Sequence, residues 1–169
     1  MAYDQAMNII FAAASSFSEQ TLITLTKLDH KIVAVLTQPD RHSGRGLKKT
    51  KNPIKNMAQK LDLPVLEYKS LNEPEAYRTI KKLAPDLLLT MAYGEYIPQR
   101  ILQLPHFDAV NVHPSLLPLW RGASPIQAAI LNGDKKTGIC LTRMAGKLDA
   151  GPIFVSHEIK IAPHETAEI

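Results

Sequence analysis

The chain has one cysteine, Cys140, among its 169 residues. A single thiol closes no disulfide framework and supplies no cysteine cluster for zinc, which fits a reducing compartment. Long apolar runs are missing too. The stretch "NIIFAAASSF" near the start has no basic segment before it, and it is too short and too rich in serine to span a bilayer. The expectation is a soluble, cytoplasmic protein with no membrane partner and no metal. There is no G-x-S-x-G elbow of the kind that presents a hydrolase serine. Internal repeats and low-complexity segments are absent. One further absence is local. No acid falls between Arg41 and Lys55, a window that holds six Lys and Arg.

What remains is an ordinary globular balance, 45% hydrophobic and 21% charged, in a length suited to one domain with a real core. A net charge of +4 and a pI near 9.2 permit an anionic partner without requiring one. The pattern alternates. "MNIIFAAA" reads as a buried strand and 16–28 as a helix, followed by the strand "KIVAVLTQ". A basic loop runs from Pro39 to Asn52. A helix over 53–61, with Pro53 in its first turn, leads to the strand "LPVLEY". A helix over 73–83 precedes the strands "PDLLLTMAYG" and "FDAVNVH". Ser124 is placed to cap a helix over 125–131, with Gly133 behind its end. "TGICLTRM" and "PIFVSHEIKI" read as a closing pair of strands. This order predicts an α/β domain with a largely parallel sheet, whose ligands bind beyond the carboxyl ends of the strands. Gly94 and His113 fall at such ends.

The segment "NVHPSLLPLWRG" carries the chemistry. Asn111 and His113 are two apart on an extended stretch, so their side chains share a face. An amide donor beside an imidazole can stabilise an oxyanion that forms on a carbonyl carbon. Asp149, in "KLDAGP", is a candidate third member, although spacing alone does not bring it to His113. Taken singly, His113 also fits a buried histidine at a strand end and Asp149 a turn residue. A Ser-His-Asp hydrolase with Ser115 as nucleophile is the rival reading. Pro114 directly before Ser115, and the missing elbow, count against it.

"NVHPSLLPLWRGASPIQAAILNGDKKTGICL" followed by "MAGKLDAGPI" resembles the folate-dependent formyltransferases. These share Asn-x-His, then Ser-Leu-Leu-Pro, then Arg-Gly, with a Leu-Asp-x-Gly loop further on. "LTQPDRHSGRGLKKTKNPIKNMAQKLDLPVLEYKSL" and "MAYGEYIPQRIL" look like the branch that formylates methionyl-tRNA, and the likeness runs from about Asn8 to the end. The resemblance implies a Rossmann-like formyltransferase fold with a mostly parallel central sheet flanked by helices. It implies that residues 1–169 form a catalytic domain. It also implies transfer of a formyl group from 10-formyltetrahydrofolate, a co-substrate, to the methionine amino group of initiator Met-tRNA, with Asn111, His113 and Asp149 as the catalytic trio. Ser115, Leu116, Leu117 and Pro118 would line the folate pocket, with Tyr93, Gly94 and Ile97 as its other wall. Arg41, Arg45, Lys48 and Lys49 would meet tRNA phosphates. A small-molecule (sugar-nucleotide or glycinamide ribonucleotide) N-formyltransferase, and an inactive folate-binding fragment, are the alternatives.

Three departures from the family pattern are visible. Ala13 and Ser15 stand where a glycine and a proline are usual. Ala145 replaces an acid and Lys147 a glycine before Asp149. The chain also stops at "PHETAEI", where the family continues into a further helix, a linker and a C-terminal tRNA-binding domain. The expectation is therefore a family member cut short, the intact member being a monomer and the shortened chain prone to self-association. Its sheet should be nearly complete by Ile161, with an apolar face exposed.

Overall fold

The computed structural model describes residues 5–43, 48–50, 52–146 and 148–167. The chain divides into two compact units, Met1–Ala109 and Val110–Ile169. The first is built on β1 (Asn8–Ala13), β2 (Lys31–Thr37), β5 (Val65–Glu67) and β6 (Leu87–Met91), in the order β5-β2-β1-β6 and all parallel. β1 is buried along nearly its whole length rather than on alternate residues, with Ile10, Phe11, Ala12 and Ala13 fully enclosed. That is the mark of a central parallel strand covered on both faces. Sequence patterning anticipated it.

Helices α1 (Glu19–Leu25), α2 (Pro53–Lys60) and α3 (Pro74–Lys82) connect these strands, and each buries one or two residues of an amphipathic face. The segment expected as helix over 16–28 opens with a 3-10 turn at Ser16–Ser18 and is shorter at its end. Ala13 and Ser15, the substituted positions, are accommodated without strain. Ala13 lies in the β1–β6 ladder opposite Met91, and the Ser15 hydroxyl accepts from the Phe17 amide at 3.3 Å. Sequence reading missed α4 (Gln99–Leu102), a single turn that follows Pro98. It also expected an irregular loop after Pro39. Instead β3 (Arg41–Ser43) and β4 (Lys48–Thr50) pair antiparallel as a short hairpin.

The second unit takes up most of β7 (Asp108–His113) and adds α5 (Pro125–Leu131), β8 (Lys136–Arg143) and β9 (Ile153–Lys160). β7 and β8 pair antiparallel, as do β8 and β9. Gly133, at φ 71°, ends the α5 turn as its position suggested. Ser124 stands before α5, but its side chain makes no capping bond. All eight residues of β9 are exposed, Ile153, Phe154, Val155 and Ile159 among them. Among the described residues no helix is long and apolar enough to cross a membrane.

Candidate active site

β7 ends on His113, and Asn111 two residues earlier projects from the same face. The loop between β8 and β9 returns Asp149 to that face. Two features close this loop. The Arg143 amide donates to the Pro152 carbonyl at 2.9 Å, and Gly151 lies so close to the Arg143 carbonyl that no side chain fits there. Asp149 itself is held at φ 47°, a left-handed conformation that Asp tolerates better than most residues.

The Asp149 carboxylate is the hub. Its Oδ1 accepts from Asn111 Nδ2 at 3.2 Å and lies 3.5 Å from His113 Nδ1, while its Oδ2 accepts from the Gly122 amide at 2.9 Å. The His113 and Asp149 side chains are 4% and 5% exposed. A carboxylate so enclosed costs several kcal/mol of desolvation, which these donors offset. On its other side the imidazole meets the Trp120 carbonyl, 3.0 Å from Nε2. A carbonyl only accepts, so Nε2 carries a hydrogen in this arrangement. Trp120 is itself fixed at φ 56°, with its indole N–H donating to Asp134 Oδ2 at 2.7 Å. The imidazole is thus held at Nε2, with the Asp149 carboxylate beside Nδ1.

Sequence reading missed two members of this arrangement, the Trp120 carbonyl and the Gly122 amide. Both are backbone groups. The only available signal was that "NVHPSLLPLWRG" extends as far as Gly122.

The turn after β7 separates the expected folate-lining residues. Ser115 is fully buried, and its hydroxyl donates to the Leu119 carbonyl at 2.6 Å, so it braces the turn from inside. With that hydroxyl committed to a carbonyl, and His113 Nε2 on Trp120, nothing prepares Ser115 as a nucleophile. This disfavours the hydrolase reading. Leu116 packs over Gly138 of β8, where a Cβ would meet its Cγ at 2.9 Å. Leu117 is half-buried, whereas Pro118 and Leu119 are exposed. Leu119, not among the expected residues, extends the apolar surface beside the trio. That surface suits a flat ring system.

In the first unit Tyr93 and Ile97 are each only 5% exposed and belong to the core, while Gly94 lies open at φ 76°. Burial, and then the charge of Glu95, push the Tyr93 phenol up to about 12. A phenol whose folded pKa is raised binds its proton more tightly in the folded state. Its contribution is therefore complete below about pH 10, the unfolded value, and is lost as pH rises towards 12. Phenolate absorbance should accordingly show one tyrosine titrating about two units later than an exposed one, an effect absent from Tyr93→Phe.

The chain matches the formyl transferase family model over residues 6–169. It belongs to the formyl transferase family. Among curated relatives it is 45% identical over 162 residues to the methionyl-tRNA formyltransferase of Buchnera aphidicola subsp. Schizaphis graminum (strain Sg), covering 96% of this chain and 52% of that protein. To the methionyl-tRNA formyltransferase of Thermotoga neapolitana it is 42% identical, covering 95% of this chain and 51% of that protein. The chain thus spans about half the length of these relatives. Solved structures share its fold at lower identity. Phosphoribosylglycinamide formyltransferase from Anaplasma phagocytophilum has a TM-score of 0.77 at 20% identity, covering 97% of this chain and 77% of that one. The enzyme of that name from Bacillus halodurans has a TM-score of 0.75 at 23% identity, covering 95% and 82%. The fold is the Rossmann-like α/β fold of these formyltransferases.

Of the basic residues, Arg45 lies outside the described residues, as do Lys51 and the Lys147 departure. For Arg41, Lys48 and Lys49 the strand backbone alone is described. Lys55 is committed elsewhere, at 2.9 Å from Glu67 Oε2 and 3.8 Å from Asp40. The Glu67 hydrogen bond chiefly raises its pKa above the usual lysine range. No group of three or more His, Cys, Asp or Glu among the described residues could hold a metal ion.

Proposed function

We propose that the chain, read as a single catalytic domain over residues 1–169, transfers a formyl group from 10-formyltetrahydrofolate to the methionine amino group of initiator Met-tRNA. The observation that carries this reading is the convergence of Asn111, His113 and the Gly122 amide on Asp149, in a chain 41–45% identical to methionyl-tRNA formyltransferases. The folate, when bound, supplies the formyl carbon as an activated amide. The attacking amine forms a new C–N bond as the old one breaks, and the proton it loses passes to the departing nitrogen. Asn111 and, once its Nε2 leaves the Trp120 carbonyl, His113 supply donors to the developing oxyanion. Asp149 orients the imidazole and the amide together, and it is the group able to relay the proton. No covalent enzyme intermediate is needed. The attacking amine must be neutral, so the rate falls in acid.

The apolar edge at half-buried Leu117 and exposed Pro118 and Leu119 is the surface offered to the pterin; in the first unit, the open backbone at Gly94 is a separate candidate for contact with the folate. Arg41, Arg45, Lys48 and Lys49, on or beside the β3–β4 hairpin, are the candidate phosphate contacts. Arg45→Ala in the full-length protein should weaken tRNA binding and lower the slope of log K against log salt by about 1, with folate affinity unaffected. An unchanged slope would return the hairpin to a solvated surface. The function itself is tested by offering charged initiator tRNA, glycinamide ribonucleotide and amino-sugar nucleotides as competing amines. Preferential formylation of a small amine would overturn the tRNA reading.

A further inference from the structure

The neck of the basic hairpin is tied to the turn after β6 by a short chain of hydrogen bonds. Asn52 stands between β4 and α2 and makes three of them. Its amide nitrogen donates to Asp40 Oδ1 at 3.0 Å, joining the two feet of the hairpin. Its side-chain Nδ2 donates to the Gln38 carbonyl at 2.9 Å. Its Oδ1 accepts from the Lys55 amide at 3.2 Å and caps α2. Gln38 Nε2 in turn donates to the Tyr93 carbonyl. Gln38 and Asn52 are buried, at 8% and 7% exposure. The turn is shaped to admit the glutamine, since a Cβ on Gly94 would stand 3.2 Å from Gln38 Nε2, at a φ of 76° that already favours glycine.

Capping alone does not call for asparagine. Serine, threonine or aspartate would supply the acceptor equally well. Only an amide caps the helix with its oxygen and donates to Gln38 with its nitrogen. The second bond joins Asn52 to the backbone of Gln38, whose side chain reaches the Tyr93 carbonyl, and it contributes nothing to the cap.

We propose that Asn52 is a positioning residue. By holding the Gln38 backbone, whose side chain reaches the Tyr93 carbonyl, it fixes the neck of the β3–β4 hairpin beside the Tyr93–Gly94 turn, so that the arm proposed to meet the acceptor keeps one arrangement on the first unit. The inference rests on the hairpin being the acceptor arm.

The test uses Asn52→Ser, whose single oxygen can cap the helix but withdraws the longer amide arm that reaches the Gln38 carbonyl, and Gln38→Leu, which cuts the same chain at its other end. Both are made in the full-length protein. Trypsin cleavage within residues 41–55 is followed by peptide mapping, because cleavage reports the population of locally opened chain. Both variants should be cut there about tenfold faster than the parent, with cleavage elsewhere little changed. In steady state the KM for charged tRNA should rise about tenfold, with much smaller changes in kcat at saturating tRNA and in folate affinity. An unchanged cleavage rate in both variants overturns the clamp. Faster cleavage with an unchanged KM for tRNA overturns its positioning role. Arg45→Ala in the same assay separates the two ideas. If it raises the KM where Asn52→Ser does not, the acceptor-arm reading stands without the clamp. If neither substitution moves the KM, that reading has failed as well.

Discussion

Asp149→Ala is expected to lower formyl transfer by about 10²–10³-fold, the range seen when one preorganised oxyanion donor is lost, while folate affinity changes little. The size follows from what one carboxylate holds. Removing it takes this acceptor from Asn111 Nδ2 and the Gly122 amide, and it opens one edge of the His113 ring. The two donors that would face the oxyanion lose their common brace, so their aim is lost together. Asn111→Ala added to Asp149→Ala should therefore cost much less than it does alone, because residues that act as a unit are not additive. Asp149→Asn is the sharper probe. It keeps the shape, but its amide must turn an N–H towards either Gly122 N or the Asn111 and His113 side, which sets donor against donor. Single-turnover rates measure the chemistry. Fluorescence of Trp120, the only tryptophan, follows binding of a folate analogue. An Asp149→Ala protein that keeps most of its rate would remove Asp149 from the mechanism.

The sequence was most legible where burial dictates residue type. β1 after Asn8, and β6 but for the buried Thr90, are apolar runs because both faces of a parallel strand are covered, and no solvent-facing residue interrupts them. Asn111 and His113 were legible as a pair because period-two geometry is local. Asp149 was named from its loop and the family resemblance, but its proximity to them could not be read from spacing, since it lies 38 residues from Asn111 and only the β8–β9 loop brings it back. The braces on His113 and Asp149 were invisible for another reason. The Trp120 carbonyl and the Gly122 amide are backbone groups that any residue would carry. The β3–β4 hairpin escaped notice because Arg41–Thr50 shows no apolar alternation, and α4 because one turn is too short to display a period. Ser115 shows how residue type misleads. A serine two residues beyond a histidine invites a nucleophile, yet its hydroxyl serves the turn that shapes the surface beside that histidine.

Glycines in the Asp149 loop offer a test that touches no reacting group. Gly146 and Gly151 flank Asp149 in the same loop, and sequence alone gives no reason to rank them. A Cβ on Gly146 would meet nothing within 4 Å. One on Gly151 would be driven into the backbone carbonyl of Arg143, an atom that cannot turn aside as a side chain would. The Arg143 amide also holds the Pro152 carbonyl at 2.9 Å, so relief of the clash has to open the loop at its base. Gly151→Ala should cost about 1–3 kcal/mol in stability, the usual range for overpacking. The larger effect is on the rate, because a displacement of about 1 Å at a catalytic group is worth roughly 10²-fold. Gly146→Ala should leave both quantities near those of the parent. Thermal unfolding and single-turnover formylation of the two variants, side by side, make the comparison. Equal behaviour would mean that the base of the loop yields without moving Asp149, and that the close approach of Gly151 to Arg143 plays no part in aiming the carboxylate.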